Sequence, residues 1–540
     1  MKGAPLKRFL GALLSSSLAV SSSLVMVHAA RAATGTCGIP AIPVASSDVA
    51  SGTFNASATE LGGCISGESR QLSEGHGANV FDVRRYGARC NGEGDDAEAI
   101  QRAERAAVAS NAHATVFVPP GRCVVSHGIA WDSNVDLYGA GMFRSVIAAS
   151  SDFGFSPETV RKGPNGQYVG MLWLDGPSET APLVNVTVSD LGFDPRSGTQ
   201  GRKYGEFNFE PIAGYLRALQ HVRFNDLYFD LGYNTTPYFG VSLGPKGFFG
   251  IKVIAADCDH ESTDISFTNV VGYNGDGTIQ FGPGDSLQRC ASPTTVSNVR
   301  IDGEVDFVDG QNIDDDRIIL AGSNVRPSLF TGISIVNVQT YVFDRATGGV
   351  NSVTISPGTV GVIRDVTIGG IRYRGPAVPH FGYPRKDTTY VNGTGAVVSV
   401  LGSRDGGANG VTIRDVVGRN SYGIQANVKS GGPLGTFESL DVESVQLLHC
   451  YASGYAALGI QVWSPPSGGD MLKVAGVTIT AAPELRTFAA QHGTHGLVLQ
   501  PHAAGDGASG SLQVSDLSIS GLPVPVFVPK RDAFPGLQIP

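Results

Sequence analysis

The feature of this chain that most restricts its fold is a recurring pair in which Asn or Asp stands directly before Leu or Val. Alternating apolar residues surround each pair, and successive pairs lie about 28 to 50 residues apart when weaker copies near Val445 and Val477 are counted. The clear copies are Asp190-Leu191, Asp226-Leu227, Asn269-Val270, Asn298-Val299, Asn337-Val338, Asp365-Val366, Asp415-Val416 and Asp516-Leu517. No helical period separates them, which indicates short strands joined by loops of variable length.

Repeats of this kind predict a β-solenoid, because one turn cannot bury its inward side chains without a neighbouring turn stacked on it. Asn and Asp suit the corners, since they tolerate a left-handed backbone and bond to nearby backbone groups. A propeller would show a more regular period of roughly 40–50 residues with blade signatures. Charged residues make up only 16% of the chain, against ~25% in average domains. We therefore predict an all-β right-handed parallel β-helix.

The solenoid is predicted to span residues 79–530 as a single domain, between an irregular leader at 34–78 and a tail at 531–540. Near its start, Asp95 and Asp96 precede an amphipathic stretch that reaches about Ser110. This pattern predicts a short capping helix, with an Asp oxygen binding the free amides of its first turn. The helix would cover the open edge of the first coil.

The first 33 residues have the pattern of a secretory signal peptide. Lys2, Lys7 and Arg8 precede an apolar stretch, and small residues follow up to position 33. A retained membrane anchor is the alternative, although the apolar stretch is shorter than the ~20 residues that a span needs. We expect a secreted or periplasmic protein without a membrane span after cleavage.

Net charge and cysteine content also restrict the function. The chain carries a net charge of −9, which becomes −13 without Lys2, Lys7, Arg8 and Arg31 of the signal segment. An acidic chain without a Lys/Arg cluster is a poor candidate for binding nucleic acid. Seven cysteines in an exported protein indicate disulfides. The predicted pairs are Cys37–Cys64, Cys90–Cys123 and Cys258–Cys290, with Cys450 left over.

Six short motifs open the predicted solenoid: Val80-Phe81-Asp82-Val83, Tyr86-Gly87-Ala88, Asp95-Asp96, Ala99-Ile100-Gln101, Val118-Pro119-Pro120-Gly121 and Leu137-Tyr138-Gly139-Ala140-Gly141. Together they resemble the opening of pectate-lyase-superfamily β-helices, and in particular of the polygalacturonase- and rhamnogalacturonase-like glycoside hydrolases of family 28. The resemblance implies a parallel β-helix that acts on a polysaccharide. It does not select the reaction, because one scaffold hosts several chemistries.

Two later motifs resemble active-site motifs of family 28. Asn274-Gly275-Asp276-Gly277 is similar to its Asn-x-Asp-Gly motif, and Asp315-Asp316 is similar to its Asp-Asp pair. The family's Gly-His-Gly and Arg-x-Lys motifs have no clear counterpart. The resemblance implies Asp276, Asp315 and Asp316 as catalytic residues, with Asp314 and Asp344 in reserve. Acids on stacked strands ~4.8 Å apart can reach separations that suit glycoside hydrolysis.

Four residues near these motifs are predicted to contact the substrate: Asn274, Arg317, Tyr273 and Lys246. Aromatic rings stack on sugar faces, and cations bind uronate carboxylates. The competing structural interpretation is an ordinary turn, a solvated acidic loop and aromatic residues packed in the core.

No metal or cofactor is predicted for a hydrolase. A lyase would instead hold Ca²⁺, which would neutralise a uronate while Arg317 or another base abstracted the C5 proton. The oxygen ligands would come from Asp309, Asn312, Asp314 and Asp316.

The leading hypothesis is an exported glycoside hydrolase that degrades a polysaccharide. A polysaccharide lyase or epimerase on the same scaffold is the alternative within enzymes. A non-catalytic polysaccharide-binding surface protein is the alternative outside them. The sequence leaves the sugar, the linkage and the oligomeric state open.

Overall fold

The structure is a computed structural model in which we describe residues 79–153, 160–163, 166–175, 181–196, 207–214, 217–232, 249–254, 260–282, 294–308, 316–322, 327–343, 350–358, 360–376, 395–400, 407–426, 436–437, 439–450, 457–463, 471–481, 495–500, 511–522 and 526–527. The predicted signal peptide, the leader and the tail lie outside these residues. So do Cys37, Cys64, Cys258 and Cys290.

Nearly all regular structure in the described residues is β-strand. The first half of the strands are β1 Val80–Asp82, β2 Ala114–Phe117, β3 Gly121–Val125, β4 Ile129–Ala130, β5 Val135–Tyr138, β6 Ser145–Ala149, β7 Val160–Gly163, β8 Gly166–Trp173, β9 Leu183–Asp194, β10 Phe207–Gly214, β11 Leu219–Gly232, β12 Phe249–Ile254, β13 Ser262–Asn274, β14 Gly277–Gly282, β15 Thr294–Asp302 and β16 Val305–Val308. The remainder are β17 Asp316–Ala321, β18 Ser328–Val336, β19 Gln339–Val342, β20 Asn351–Ser356, β21 Gly361–Arg374, β22 Val398–Val400, β23 Gly407–Arg419, β24 Ile424–Ala426, β25 Thr436–Phe437, β26 Ser439–Cys450, β27 Ala457–Trp463, β28 Met471–Ala481, β29 His495–Gln500, β30 Ser511–Ser520 and β31 Val526–Phe527.

The strands form two sheets that run the length of the solenoid. The narrower sheet orders its strands β4-β8-β10-β12-β14-β17-β20-β22-β24-β27-β29-β31, so each coil adds one strand beside the last. The wider sheet bends around the corners and contains the long strands such as β9, β11 and β13. Pairing between coils is parallel, and the short β7 is antiparallel to β8. The predicted parallel β-helix is confirmed.

The recurring Asn and Asp residues form the corners of the wider sheet. All eight have a left-handed backbone, with φ between 50° and 59°. Their side chains bond from coil to coil: Asn269 Nδ2 donates to Asp226 Oδ1 at 2.5 Å, and Asn337 Nδ2 donates to Asp302 Oδ1 at 2.7 Å. Inside the corners, stacked rings such as Phe224 on Phe267, 4.9 Å apart, build the continuous core.

The predicted capping helix is α1, Ala97–Ala109, with Ser110 as its C-cap. Asp95 supplies the cap oxygen, since its Oδ1 accepts from the amide of Ala97 at 3.0 Å. Asp96 instead accepts from the amides of Arg89 and Cys90, at 2.7 and 3.1 Å. Within the described residues, no helix is long and apolar enough to cross a membrane.

The Cys90–Cys123 disulfide is present, as predicted, and joins the segment before α1 to β3. Cys450 is a free, buried cysteine, also as predicted.

Candidate functional site

Asp276 lies in a two-residue corner between β13 and β14. Asn274 and Gly275 both adopt a left-handed backbone, with φ of 58° and 70°, so the chain bends here from one sheet into the other. Asp276 follows and is partly exposed. Because strands leave the wider sheet and enter the narrower sheet at this corner, the turn presents a carboxyl group at the edge between two faces of the solenoid.

Asp316, on the next coil, lies directly beside this turn. A Cβ built on Gly277 would be 2.4 Å from the carbonyl oxygen of Asp316, which shows how closely the two backbones stack. Asp276 and Asp316 lie on adjacent coils, one residue out of register. Neighbouring parallel strands are ~4.8 Å apart. The structure therefore brings together two of the three predicted catalytic acids, and the third, Asp315, lies outside the described residues.

The Asp316 carboxylate is held by side chains of the following coil. Its Oδ1 accepts from Asn351 Nδ2 at 2.6 Å and from Thr354 Oγ1 at 2.5 Å. Asn351 is fixed in turn, because its Oδ1 accepts from the amide of Ala396 at 2.7 Å. Two donors on one oxygen suit an ionised carboxylate.

A single file of outward-facing residues crosses the strands next to this corner. The register pairs Asp230 with Tyr273, Tyr273 with Phe307, Phe307 with Tyr341, Tyr341 with Arg374 and Arg374 with Arg419. We call these residues, with Asp194 before Asp230, the outer column. Phe307 and Tyr341 stack with ring centroids 5.4 Å apart at 14°. Tyr273, a predicted substrate contact, is part of the outer column, three residues before Asp276.

The two ends of the outer column differ in charge. Arg374 and Arg419 are exposed at one end, and no ion pair to either is found among the described residues. Their neighbour Arg372, by contrast, pairs with Asp415 at 3.0 Å. Two adjacent arginines without an acid form a site suited to an anionic group.

At the other end, the acids of the outer column are already neutralised. Asp194 contacts Arg122 at 2.9 Å and Arg196 at 2.7 Å, and Arg196 reaches Asp230 at 3.0 Å. Burial alone would raise the pKa of Asp194, but the hydrogen bonds and charges of the two arginines outweigh burial and hold the pKa below its ordinary value. Asp194 is thus an ion-pair partner rather than an available acid.

Two predicted substrate contacts lie in the interior. The Asn274 and Arg317 side chains have no exposed surface. The Arg317 guanidinium donates to the carbonyl oxygens of Asn274 and Gly275 at 2.6 and 2.8 Å. The prediction that Arg317 faces the substrate is corrected, because its side chain turns inward and holds the backbone of the Asp276 turn. For the same reason Arg317 is not placed to abstract a substrate proton.

The remaining predicted residues lie outside the described part of the chain: Lys246, Asp309, Asn312, Asp314, Asp315 and Asp344. A calcium site built mainly on them stays a prediction. Among the described residues, one group of three potential ligands has closely spaced atoms, namely Cys90, Asp96 and Cys123. Its two cysteines are already joined as a disulfide.

Sequence reasoning did not find most of the outer column, although a signal was present. Phe307, Tyr341, Arg374 and Arg419 each stand four residues after a corner residue. The corners before Phe307 and Arg374 are glycines, Gly303 and Gly370. At these two corners the sequence therefore did not show Asn or Asp, although Asn298 and Asp365 mark another corner of the same two coils.

Comparison with known proteins supports the predicted resemblance. Residues 80–201, which include β1 to β9, match the family described as rhamnogalacturonase A/epimerase, pectate lyase-like. The match favours a polysaccharide-active β-helix protein of the hydrolase, epimerase or lyase kind. No curated protein matches the chain.

Solved structures with a similar fold have diverse activities. One is an exopolygalacturonase from Thermotoga maritima, at 10% identity over 82% of this chain and 92% of that one, with a TM-score of 0.43. Another is the A-module of mannuronan C-5 epimerase AlgE4 from Azotobacter vinelandii, at 13% identity over 85% and 99%, with a TM-score of 0.37. A third is PfbA, a surface adhesin of Streptococcus pneumoniae, at 13% identity over 83% and 93%, with a TM-score of 0.39. These similarities do not distinguish one activity from another.

Proposed function

We propose that this protein is an exported enzyme that hydrolyses glycosidic bonds in an acidic polysaccharide, with Asp276 and Asp316 as its carboxyl pair. The observation that carries the proposal is the outer column, a file of three aromatic rings followed by two arginines that have no ion-pair partner among the described residues, with Tyr273 three residues before Asp276. Its spacing of ~4.8 Å per coil is comparable to the length of one sugar residue. A chain laid along the solenoid would meet one outer-column side chain per sugar.

The two acids fit different halves of the reaction. Glycoside hydrolysis needs one carboxylic acid to protonate the leaving oxygen and one carboxylate to activate water or attack the sugar. Asp316, held by Asn351 and Thr354, suits the carboxylate role. Asp276, on the turn, is the proposed acid. Carboxyl groups ~5–5.5 Å apart would predict retention of configuration, and those ~6.5–9.5 Å apart inversion.

Hydrolysis is preferred over a lyase or epimerase reaction in which Arg317 is the base. Such a reaction must place the base beside the sugar ring, whereas the Arg317 side chain is fully buried and occupied by two carbonyl oxygens.

The test is digestion of a panel of neutral and acidic polysaccharides, with products analysed by mass spectrometry. We expect new reducing ends without absorbance near 235 nm, an absorbance that would mark the unsaturated product of a lyase. Asp276→Asn and Asp316→Asn should each lower the rate by ~10²–10⁴-fold while the melting temperature stays unchanged. Asp365→Asn is the matched control. Asp365 is an exposed corner residue, and Asn also accepts its left-handed backbone. Unsaturated products, binding without cleavage, or full activity in both variants would overturn the proposal.

The acidic nature of the substrate has its own test. Arg374→Ala combined with Arg419→Ala should raise KM at least tenfold on an acidic polysaccharide and leave kcat within about twofold. Arg364→Ala combined with Arg414→Ala removes the same two charges from exposed positions of the same strands, outside the outer column. Equal effects of the two double variants would show that only net charge matters and would refute a specific anion site.

A further inference from the structure

A group of four polar side chains lies inside the solenoid, behind the candidate active site. Thr278, Glu304, Asp306 and Arg317 are each no more than 1% exposed. Thr278 is in β14, Asp306 is in β16 and Arg317 is in β17, whereas Glu304 directly precedes β16. We call them the buried cluster.

The buried cluster places two carboxyl groups in inward-facing columns of the wider sheet. The register of β13, β16 and β19 places Glu304 between Val270 and Val338, both of which are core residues. The same register places Asp306 between Gly272 and Thr340. An inward carboxyl group in such a column is costly unless it is paired.

Contacts within the buried cluster converge on Asp306. The Thr278 hydroxyl donates a very short hydrogen bond to Asp306 Oδ1, and Arg317 Nε is 3.5 Å from the same oxygen. Glu304 lies beside Asp306 and Thr278. Neither Glu304 oxygen has a partner of full hydrogen-bond geometry among the described residues.

Arg317 links the buried cluster to both proposed catalytic acids. Its two terminal nitrogens hold the carbonyl oxygens of Asn274 and Gly275, at 2.6 and 2.8 Å, immediately before Asp276. Along the chain, Arg317 follows Asp316 directly. The Arg317 guanidinium therefore fixes the turn that carries Asp276, and the Arg317 backbone is joined directly to Asp316.

Charge balance depends on which carboxyl group is ionised. Two carboxylates and one guanidinium would leave an uncompensated negative charge in the core. Burial and the neighbouring Asp306 raise the pKa of Glu304 well above its ordinary value, more than Arg317 and Thr278 lower it. Among the described residues packed against Glu304, Asp306 and Arg317 are the charged ones. A raised pKa favours the neutral form of Glu304, which leaves Asp306 as the carboxylate that pairs with Arg317.

We infer that Glu304 and Asp306 are positioning residues of the candidate active site: Asp306 aims the Arg317 guanidinium at the Asp276 turn, and Glu304, packed beside Asp306, controls that pairing. This inference rests on the proposed function for its effect on rate. Ionised Glu304 would repel Asp306 and compete with it for Arg317, so the turn would loosen. A displacement of about 1 Å at a catalytic group can lower a rate by ~10²-fold.

The first test uses Asp306→Asn, which keeps the shape and removes the charge. We expect kcat to fall at least tenfold with KM within about threefold, and amide hydrogen exchange to rise at residues 274–278. Asp175→Asn is the control, because Asp175 is also fully buried and accepts a hydrogen bond from the Arg217 amide on other coils. It should lower stability without changing kcat or exchange at 274–278. Unchanged exchange at 274–278 in Asp306→Asn would overturn the inference.

The second test uses Glu304→Gln, a neutral mimic of the protonated acid. It should keep wild-type kcat at neutral pH and remove the loss of kcat that we expect of the wild type as pH rises through the Glu304 pKa. The unfolding free energy of the wild type should also fall with rising pH relative to Glu304→Gln, because the native state holds a proton that the unfolded state releases. Parallel pH profiles of the two proteins would contradict the inference.

The two tests separate this inference from the proposed function. If Asp276→Asn and Asp316→Asn keep full activity, the proposed function fails, and hydrogen exchange in Asp306→Asn still decides whether the buried cluster holds the turn. If both are inactive while Asp306→Asn shows wild-type kcat and exchange, the proposed function stands and the positioning role fails.

Discussion

Gly272 makes the buried cluster sterically possible, and Gly272→Ala should disrupt it. A Cβ at this position would lie 1.9 Å from Thr278 Oγ1, 2.4 Å from Asp306 Oδ1 and 3.1 Å from Thr278 Cβ. The two oxygens belong to short, buried side chains and are joined by a hydrogen bond. Neither oxygen can move away without breaking that hydrogen bond. The added methyl must therefore separate Thr278 from Asp306 or displace the backbone of β13.

The expected loss of stability has two parts. Overpacking of a filled core costs about 1–3 kcal/mol. A buried carboxylate that loses its hydroxyl donor adds about 1–3 kcal/mol. The sum, about 2–6 kcal/mol, is a large share of the ~5–15 kcal/mol by which native domains are usually stable.

The measurement is urea unfolding followed by circular dichroism, with Gly369→Ala as the matched control. Gly369 also lies in a long strand of the wider sheet, but a Cβ there would meet nothing closer than 3.5 Å. We expect a clear drop in the midpoint for Gly272→Ala and a shift equivalent to less than about 1 kcal/mol for the control. Equal midpoints for the two variants would refute the packing argument. They would also refute the view that glycine at position 272 leaves the space that Asp306 needs.

Two further predictions concern the N-terminal end of the solenoid. Replacing both Cys90 and Cys123 by Ala should lower the free energy of unfolding by about 3–4 kcal/mol, because the disulfide closes a loop with a sequence separation of 33; an unchanged thermal transition without the bond would contradict this. Burial, followed by the charge of Asp132, raises the pKa of Glu104 to about 7. The native state thus holds this proton longer than the unfolded chain, so wild-type stability should fall by roughly 2–3 kcal/mol relative to Glu104→Gln between about pH 4.5 and 7.5. A pH-independent difference between the two proteins would exclude a raised pKa at this site.

The corners of the fold could be predicted from sequence because they depend on local backbone chemistry. A left-handed residue is costly for most side chains and is accepted by Asn and Asp, so many corners left a mark in the sequence. Glycine meets the same need without that mark. The corners at Gly303 and Gly370 were missed for this reason.

The outer column could have been located once every corner was known. A strand alternates its side chains between two faces, so the fourth residue after a corner has a fixed direction in every coil. Counting from the corners places Tyr273, Tyr341 and Arg374 in one file without any knowledge of contacts. Such a count does not predict which side chains of the outer column become neighbours. That depends on which coils stack beside one another and in what order.

The inward turn of Arg317 was not accessible to this kind of reasoning. An Arg directly after Asp at the start of a strand is typical of a surface position, and alternation fails where the chain enters a strand from a corner. The evidence for burial lies on other coils: a glycine at 272 that leaves space, an acid at 306 that supplies charge, and two carbonyl oxygens that need donors. Each of these residues has an ordinary local explanation. Only their stacking in register shows that the ion pair of Asp306 and Arg317 lies in the core and holds the turn that presents Asp276.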